Sequence, residues 1–271
     1  MEIALPRPSV VDTGRRAVFW TLMAMLTLTA WASLWAWSAS PYGRYLEHAG
    51  WGDAVALAEL CKALPQGSIV VPAALHAAAW VLMIAAMMLP TTFPLLAMFQ
   101  RMTRGRDDAG RLLTLVVIGF FVAWLGFGLV SHAADFGVRF AAARYPDFAD
   151  HGWLVGAVVL AAAGAFQWSA LKYRCLEACR TPFGFVTSRW HGRSPSREAF
   201  RIGVDHGLFC VGCCWALMLV MFVVGVGSIA WMLVLAALMA AEKNLAVGRW
   251  LRTPVGLGLL GTAATIVIAH V

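Results

Sequence analysis

Charge is scarce in this chain. Only 13% of its 271 residues are Asp, Glu, Lys or Arg, roughly half the share found in soluble domains. That shortage excludes an ordinary water-soluble globule, which needs more polar surface to cover its core. Acidic residues are the rarer sign, 14 against 21 basic ones, giving a net charge of +7. A basic chain invites a nucleic-acid partner. Here, however, the arginines gather in short stretches between apolar runs, so the excess charge reports membrane topology, and no nucleic acid is expected. The chain also lacks any recognisable nucleotide, haem or quinone motif, so transport driven by its own ATP hydrolysis is not expected. Internal repeats and low-complexity tracts are missing as well, and a single integral membrane domain over 1–271 is expected to account for the chain. The first sixteen residues are polar, hold two prolines and lead into about 20 apolar positions without a clean small-residue cleavage site. The first apolar stretch is therefore expected to be an uncleaved anchor.

What the chain has in quantity is apolar residues, 61% of the total. They arrive in runs long enough for a bilayer. The expected fold is an all-α polytopic helix bundle with seven transmembrane spans at 17–37, 73–99, 112–134, 153–173, 202–224, 229–245 and 255–270. Pro90 and Pro94 interrupt the second span and predict a kink there. The fifth and sixth spans are joined so closely that they should be antiparallel neighbours. Lys and Arg fall 17 on one side of this arrangement and 4 on the other. That split predicts a cytoplasmic N-terminus and an outside C-terminus, as a multi-pass protein of a bacterial inner membrane. The lipid bilayer is then an expected partner. The longest outer segment, 38–72, carries Asp53, Glu59 and Cys61.

Cysteines are few, six in all, but five of them concentrate in two short stretches. The fifth span opens with Gly203-Val-Asp-His-Gly-Leu-Phe-Cys-Val-Gly-Cys-Cys-Trp215. Polar and thiol groups at membrane depth usually have a use. At about 100° per residue, His206, Cys210, Cys213 and Cys214 share one helix face about 100° wide. His206 and Cys213 lie roughly 10 Å apart along the axis, so one ion cannot take all four. Thiolate and imidazole are soft donors that suit copper first and zinc second. The bland alternative is that the thiols only pack as small hydrophobes. A second pair, Cys175 and Cys179, is spaced i, i+4 in the loop before this span and falls on the same expected membrane side. Glu242, at the inner end of the sixth span, is a third candidate, as a ligand, a proton acceptor or an interfacial charge paired with Lys243. Met83, Met87, Pro90 and Pro94 share a face of the second span, and thioethers also suit Cu(I). His76, His132 and Asp135 are candidates for an outer entry site, the alternative being that each meets water or a neighbour separately.

The strings Met87-Met-Leu-Pro-Thr-Thr-Phe-Pro94, Cys175-Leu-Glu-Ala-Cys-Arg-Thr-Pro182, His206-Gly-Leu-Phe-Cys-Val-Gly-Cys-Cys-Trp215 and Glu242-Lys243 resemble a bacterial domain-of-unknown-function family of predicted metal-binding integral membrane proteins. The resemblance covers about 73–243. It departs at Trp168-Ser-Ala170, where the family usually has Thr-Pro. It implies a membrane protein with a transition-metal ion at these cysteines and supplies no reaction. The reading that follows is a membrane protein handling copper or another soft metal. Cys210, Cys213, Cys214, His206, Cys175, Cys179 and Glu242 are the candidate metal ligands, and a protein partner or second copy is left open. The alternatives are a membrane-bound redox enzyme, with Glu242 and His206 moving protons, and an assembly subunit whose cysteines only pack.

Overall fold

The computed structural model describes residues 10–40, 70–145, 151–225 and 228–271. The 38–72 segment with Asp53, Glu59 and Cys61 lies largely outside these residues, as does the side chain of His76. The described residues form helices and connecting turns. In chain order these are α1 (Val10–Ser38), α2 (Val70–Met83), α3 (Phe93–Met102), α4 (Ala109–Arg144), α5 (Gly152–Phe166), α6 (Ala170–Arg180), α7 (Pro182–Thr187), α8 (Pro195–Val224), α9 (Ile229–Asn244) and α10 (Gly248–His270).

Helix falls within each of the seven expected spans, with breaks in the second and the fourth. Ala17–Ser38, Ala109–Arg144, Pro195–Val224 and Gly248–His270 are long and apolar enough to cross a membrane. Two bent pairs bring the number to six if each is one span: Ala77–Met88 with Pro90–Met102, bent by 44°, and Gly152–Phe166 with Ala170–Arg180, bent by 62°. The remaining helix, α9, has 16 residues. At about 1.5 Å per residue it is roughly 24 Å long, short of a hydrocarbon core of about 30 Å.

The expected kink between α2 and α3 has a local cause. Pro90 has no N–H, so the carbonyl of Ala86, four residues earlier, loses its helical donor. The indole N–H of Trp31 on α1 donates to that oxygen instead, at 3.1 Å. The chain compensates further with a π turn over Ile84–Met88, where Leu89 N–H reaches Ile84 O at 2.9 Å, and a 3-10 turn over Pro90–Thr92. The hydroxyls of Thr91 and Thr92 donate to Met88 O and Leu89 O, both at 2.7 Å. Thr91 and Thr92 are themselves buried, so these bonds satisfy the freed carbonyls without water.

The fourth expected span, 153–173, is corrected. Helix α5 stops at Phe166, and the backbone tightens through i−3 bonds from Gln167, Trp168 and Ser169. The Ser169 hydroxyl accepts from Lys172 N–H at 3.0 Å and starts α6 in a new direction. A serine N-cap, which carries no hydropathy signal, makes this break.

Helix α8 is the centre of the bundle. It packs along α4 and also touches α5 and α6, while α10 lies on α5 and α1 on α2 and the π turn. The α4–α8 seam is built on small residues. A Cβ on Gly203 would overlap the Val116 carbonyl oxygen, and one on Gly207 would stand 2.6 Å from Ala123 Cβ. Gly203 and Gly207 form a G-x-x-x-G pair that lets two helix backbones meet closely. At its far end α8 stops on Gly225, whose φ of 95° suits glycine. Ser228 N–H then donates to Gly225 O at 3.1 Å, and its hydroxyl caps α9. Apolar side chains face outward on several helices, among them Leu28, Leu129, Val158, Leu233 and Ile268.

Candidate metal centre

The thiols of α6 and α8 meet. Cys213 Sγ and Cys214 Sγ are 3.4 Å apart, and the Cys213 thiol also donates to Cys210 O at 3.1 Å. Cys179 interacts with Cys213, and Cys175 with Cys214. The approach of α6 depends on Gly212: a Cβ there would lie 2.6 Å from Cys175 Sγ. Cys210, Cys213 and Cys214 are at most 1% exposed and Cys175 is buried, with Cys179 at the edge. All five are free thiols. The helical loop proposed for Cys175 and Cys179 is therefore α6. It is folded back against α8 with Cys175 on its buried side, while Leu171 and Tyr173 are exposed.

Two lysines reach into this end of the bundle; in the sequence Lys172 counted only as a loop charge, and Lys243 also as a partner for Glu242. Lys243 Nζ donates to Cys210 Sγ at 2.9 Å and to Thr91 Oγ1 at 3.2 Å. It also interacts electrostatically with Cys213, Cys214 and Cys179. Among the described residues, no carboxylate stands within ion-pair distance of it. Lys172, fully buried, is held by both oxygens of Glu242 at 2.8 and 3.0 Å and by Gln167 Oε1. The signal available in the sequence was Glu242-Lys243 at the end of an apolar helix. Spacing alone could not say which partner each residue takes.

This pairing corrects one expectation for Glu242: its carboxylate is paired with Lys172, not with Lys243. Arg180 adds to the arrangement by donating to Glu242 O at 2.6 Å and Leu245 O at 2.8 Å. It thereby caps the C-terminus of α9 with a cation.

His206 lies one turn from Cys210 and is 3% exposed. Its ring sits between Phe120, at 6.0 Å between centroids, and Phe185, at 5.6 Å. Its Nδ1 is buried and has no hydrogen-bond partner. The histidine therefore stands beside the thiols without joining them. Asp205 is taken by Arg189, at 2.9 Å, whose guanidinium lies 3.9 Å above the Phe185 ring. His132 packs near Trp80 and Phe222, remote in sequence from this cluster and on the opposite half of α4. Asp135 is buried on the same half.

Among the described residues, no three His, Cys, Asp or Glu side chains stand grouped so as to hold a metal ion. Cys210 is engaged by Lys243, and Cys213 and Cys214 touch each other. A metal would have to displace the ammonium and part the sulfurs. The donor set itself is soft and sulfur-rich, the chemistry that selects Cu(I).

No curated protein and no solved structure matches the chain. A protein-family model described as "PpoB2: Copper chaperone" matches residues 77–266. That stretch takes in both cysteine pairs of strings, the kink, Glu242 and Lys243, and extends through most of α10. The match covers more than half of the chain, and the chain belongs to the PpoB2 copper chaperone family.

Proposed function

We propose that this chain is an integral membrane Cu(I) chaperone that takes the ion on the thiols of α6 and α8. In this reading it crosses a bacterial inner membrane seven times, N-terminus inside, with α9 as the short sixth span. The outward-facing leucines, valines and isoleucines of α1, α4, α5, α9 and α10 support it. On a water-soluble surface, patches of that kind would drive association.

The observation that carries the copper reading is the family match over 77–266, and the closeness of Cys175 to Gly212 and of Cys213 to Cys214 supports placing the ion at these thiols. Thiolates are the ligands of choice for Cu(I), which is content with two or three of them. Zinc would ask for four tetrahedral ligands. The family match puts copper ahead of zinc. Glu242 is left out of the ligand set, and His206, with its unpartnered Nδ1, is kept as a neighbouring donor. Each thiol that binds must release its proton. Lys243 supplies a positive charge that favours the thiolate before the ion arrives, and it must leave Cys210 when the ion does arrive. As a chaperone the protein then passes Cu(I) to a recipient protein.

The test is an anaerobic titration of the purified full-length chain with Cu(I) against a competing chelator. Wild type should hold at least one equivalent, and C210S/C213S/C214S should lose the tight site. Wild type holding less than about one tenth of an equivalent of this soft ion would sink the proposal.

A further inference from the structure

The copper reading leaves the buried methionines unexplained. Seven of the chain's 12 methionines, Met83, Met87, Met88, Met218, Met221, Met232 and Met239, lie in the same buried cluster as Cys175, Cys210, Cys213 and Cys214, each at most 2% exposed. We propose that Met83, Met218, Met221 and Met232 form a thioether station for Cu(I), continuous with the thiols through Met87 and Met239. The proposal rests on the copper reading above and extends it to a second, weaker site deeper in the bundle.

Helix register lines these side chains up. On α8, Cys210, Cys214, Met218 and Met221 fall within about 80° of one another at about 100° per residue. On α9, Lys243, Met239 and Met232 fall within about 40°. The two helices run antiparallel from the turn at Gly225, and the contact of Lys243 with Cys210 fixes their levels. Moving four residues along each helix puts Met239 level with Cys214. Moving eleven puts Met232 level with Met221. Helix α2 joins from a third side. Thr91 meets Lys243, so Met87 lies about one turn further along and Met83 about two. The π turn over Ile84–Met88 sits at this point and turns both Met87 and Met88 into the core. Such turns frequently mark functional positions. From Cys210 to Met221 the column rises roughly 16 Å.

The chemistry is graded along it. Thioethers bind Cu(I) without losing a proton, and less tightly than thiolates. An ion entering from the Met221–Met232 level therefore meets donors of rising affinity as it approaches Cys214 and Cys210. A core of leucines would offer a desolvated cation nothing.

The experiment uses the full-length chain in detergent, titrated anaerobically with Cu(I) supplied as its acetonitrile complex. Leucine conserves methionine's volume, so M218L/M221L/M232L should keep the fold, as circular dichroism would verify. Wild type should show a weak equivalent beyond the tight one. M218L/M221L/M232L should keep the tight site within twofold and weaken the second at least about tenfold. C210S/C213S/C214S should show the reverse pattern. If the cysteine variant fails to fold, the leucine variant decides alone. A leucine variant that titrates like wild type overturns the thioether station and leaves the copper reading standing. Wild type that binds no Cu(I) overturns both.

Discussion

Two ammonium groups are buried at one end of this bundle, and they are neutralised in different ways. Lys172 faces Glu242 and Gln167, a permanent anion and an amide, with all three sealed from solvent. Lys243 faces Cys210 and Thr91, with further thiols around it and, among the described residues, no carboxylate in ion-pair reach. The first is a finished ion pair that ties α6 to α9. The second is complete only when a sulfur carries negative charge. The contrast separates what holds the helices together from what, in the proposed reading, would receive a cation.

The largest effect should come from breaking the finished pair. K172M leaves the Glu242 carboxylate buried and alone, and should cost about 3–5 kcal/mol of unfolding free energy in detergent. K172M/E242L, which removes both charges, should recover most of that loss. A single-variant cost below about 1 kcal/mol would mean the pair is hydrated and the contrast false. Next, saturating Cu(I) should stabilise wild type by about 2.7 kcal/mol at a hundredfold excess over Kd. The same gain is expected in K172M/E242L, because copper does not touch that pair, and no gain is expected in C210S/C213S/C214S.

K243M is the direct test of the other lysine. It should cost only about 1 kcal/mol in stability, because Cys210 can stay a neutral thiol. Its Cu(I) affinity should fall about tenfold, equivalent to about 1.4 kcal/mol. Equal stability losses in K172M and K243M would erase the distinction. A smaller effect is expected of G212A, whose methyl group presses Cys175 Sγ away from α8. Cu(I) affinity should drop about threefold while Lys172 and Glu242 stay paired, since the strain is local.

Glu198 supplies the smallest effect and a reference outside the apolar segment that starts at residue 202. Its carboxylate oxygens accept from the backbone N–H groups of Ser194, His191, Gly192 and Arg193 at 2.7–3.0 Å. Those bonds, Ser194's first, hold its acid form down to about 2 from an ordinary 4.5. A depressed carboxyl stabilises the fold above its unfolded value. This contribution is therefore complete above about pH 5 and fades as pH falls toward 2. E198Q should remove that pH dependence and less than about 1 kcal/mol of stability, because the group is solvated. Thermal unfolding between pH 3 and 6 measures it.

Much of the helix layout could be read from the sequence, because apolar runs and Pro90 act locally. The face shared by Cys210, Cys213 and Cys214 follows from helical spacing in the same way. The break at Gln167–Ser169 did not follow, because it rests on one hydroxyl cap within an apolar stretch. Nor did the partners of Glu242: Lys243 is its neighbour in sequence, yet successive helix positions point in different directions, and Lys172, seventy residues earlier, is the one that reaches it. The meeting of Cys175 with α8 depends on a missing side chain at Gly212, which hydropathy does not see.

The turn at Gly225 has one further consequence. Counting fourteen residues back from Val224 reaches Cys210, and counting fourteen forward from Ile229 reaches Lys243. The hairpin is thus a gauge with two equal arms, and the sulfur and the ammonium are its matched end marks. Adding a single alanine between Ile229 and Lys243 would leave the composition of α9 almost untouched. It would swing the ammonium about 100° away from Cys210. Arm length is therefore as much a part of the Lys243–Cys210 contact as either side chain in it.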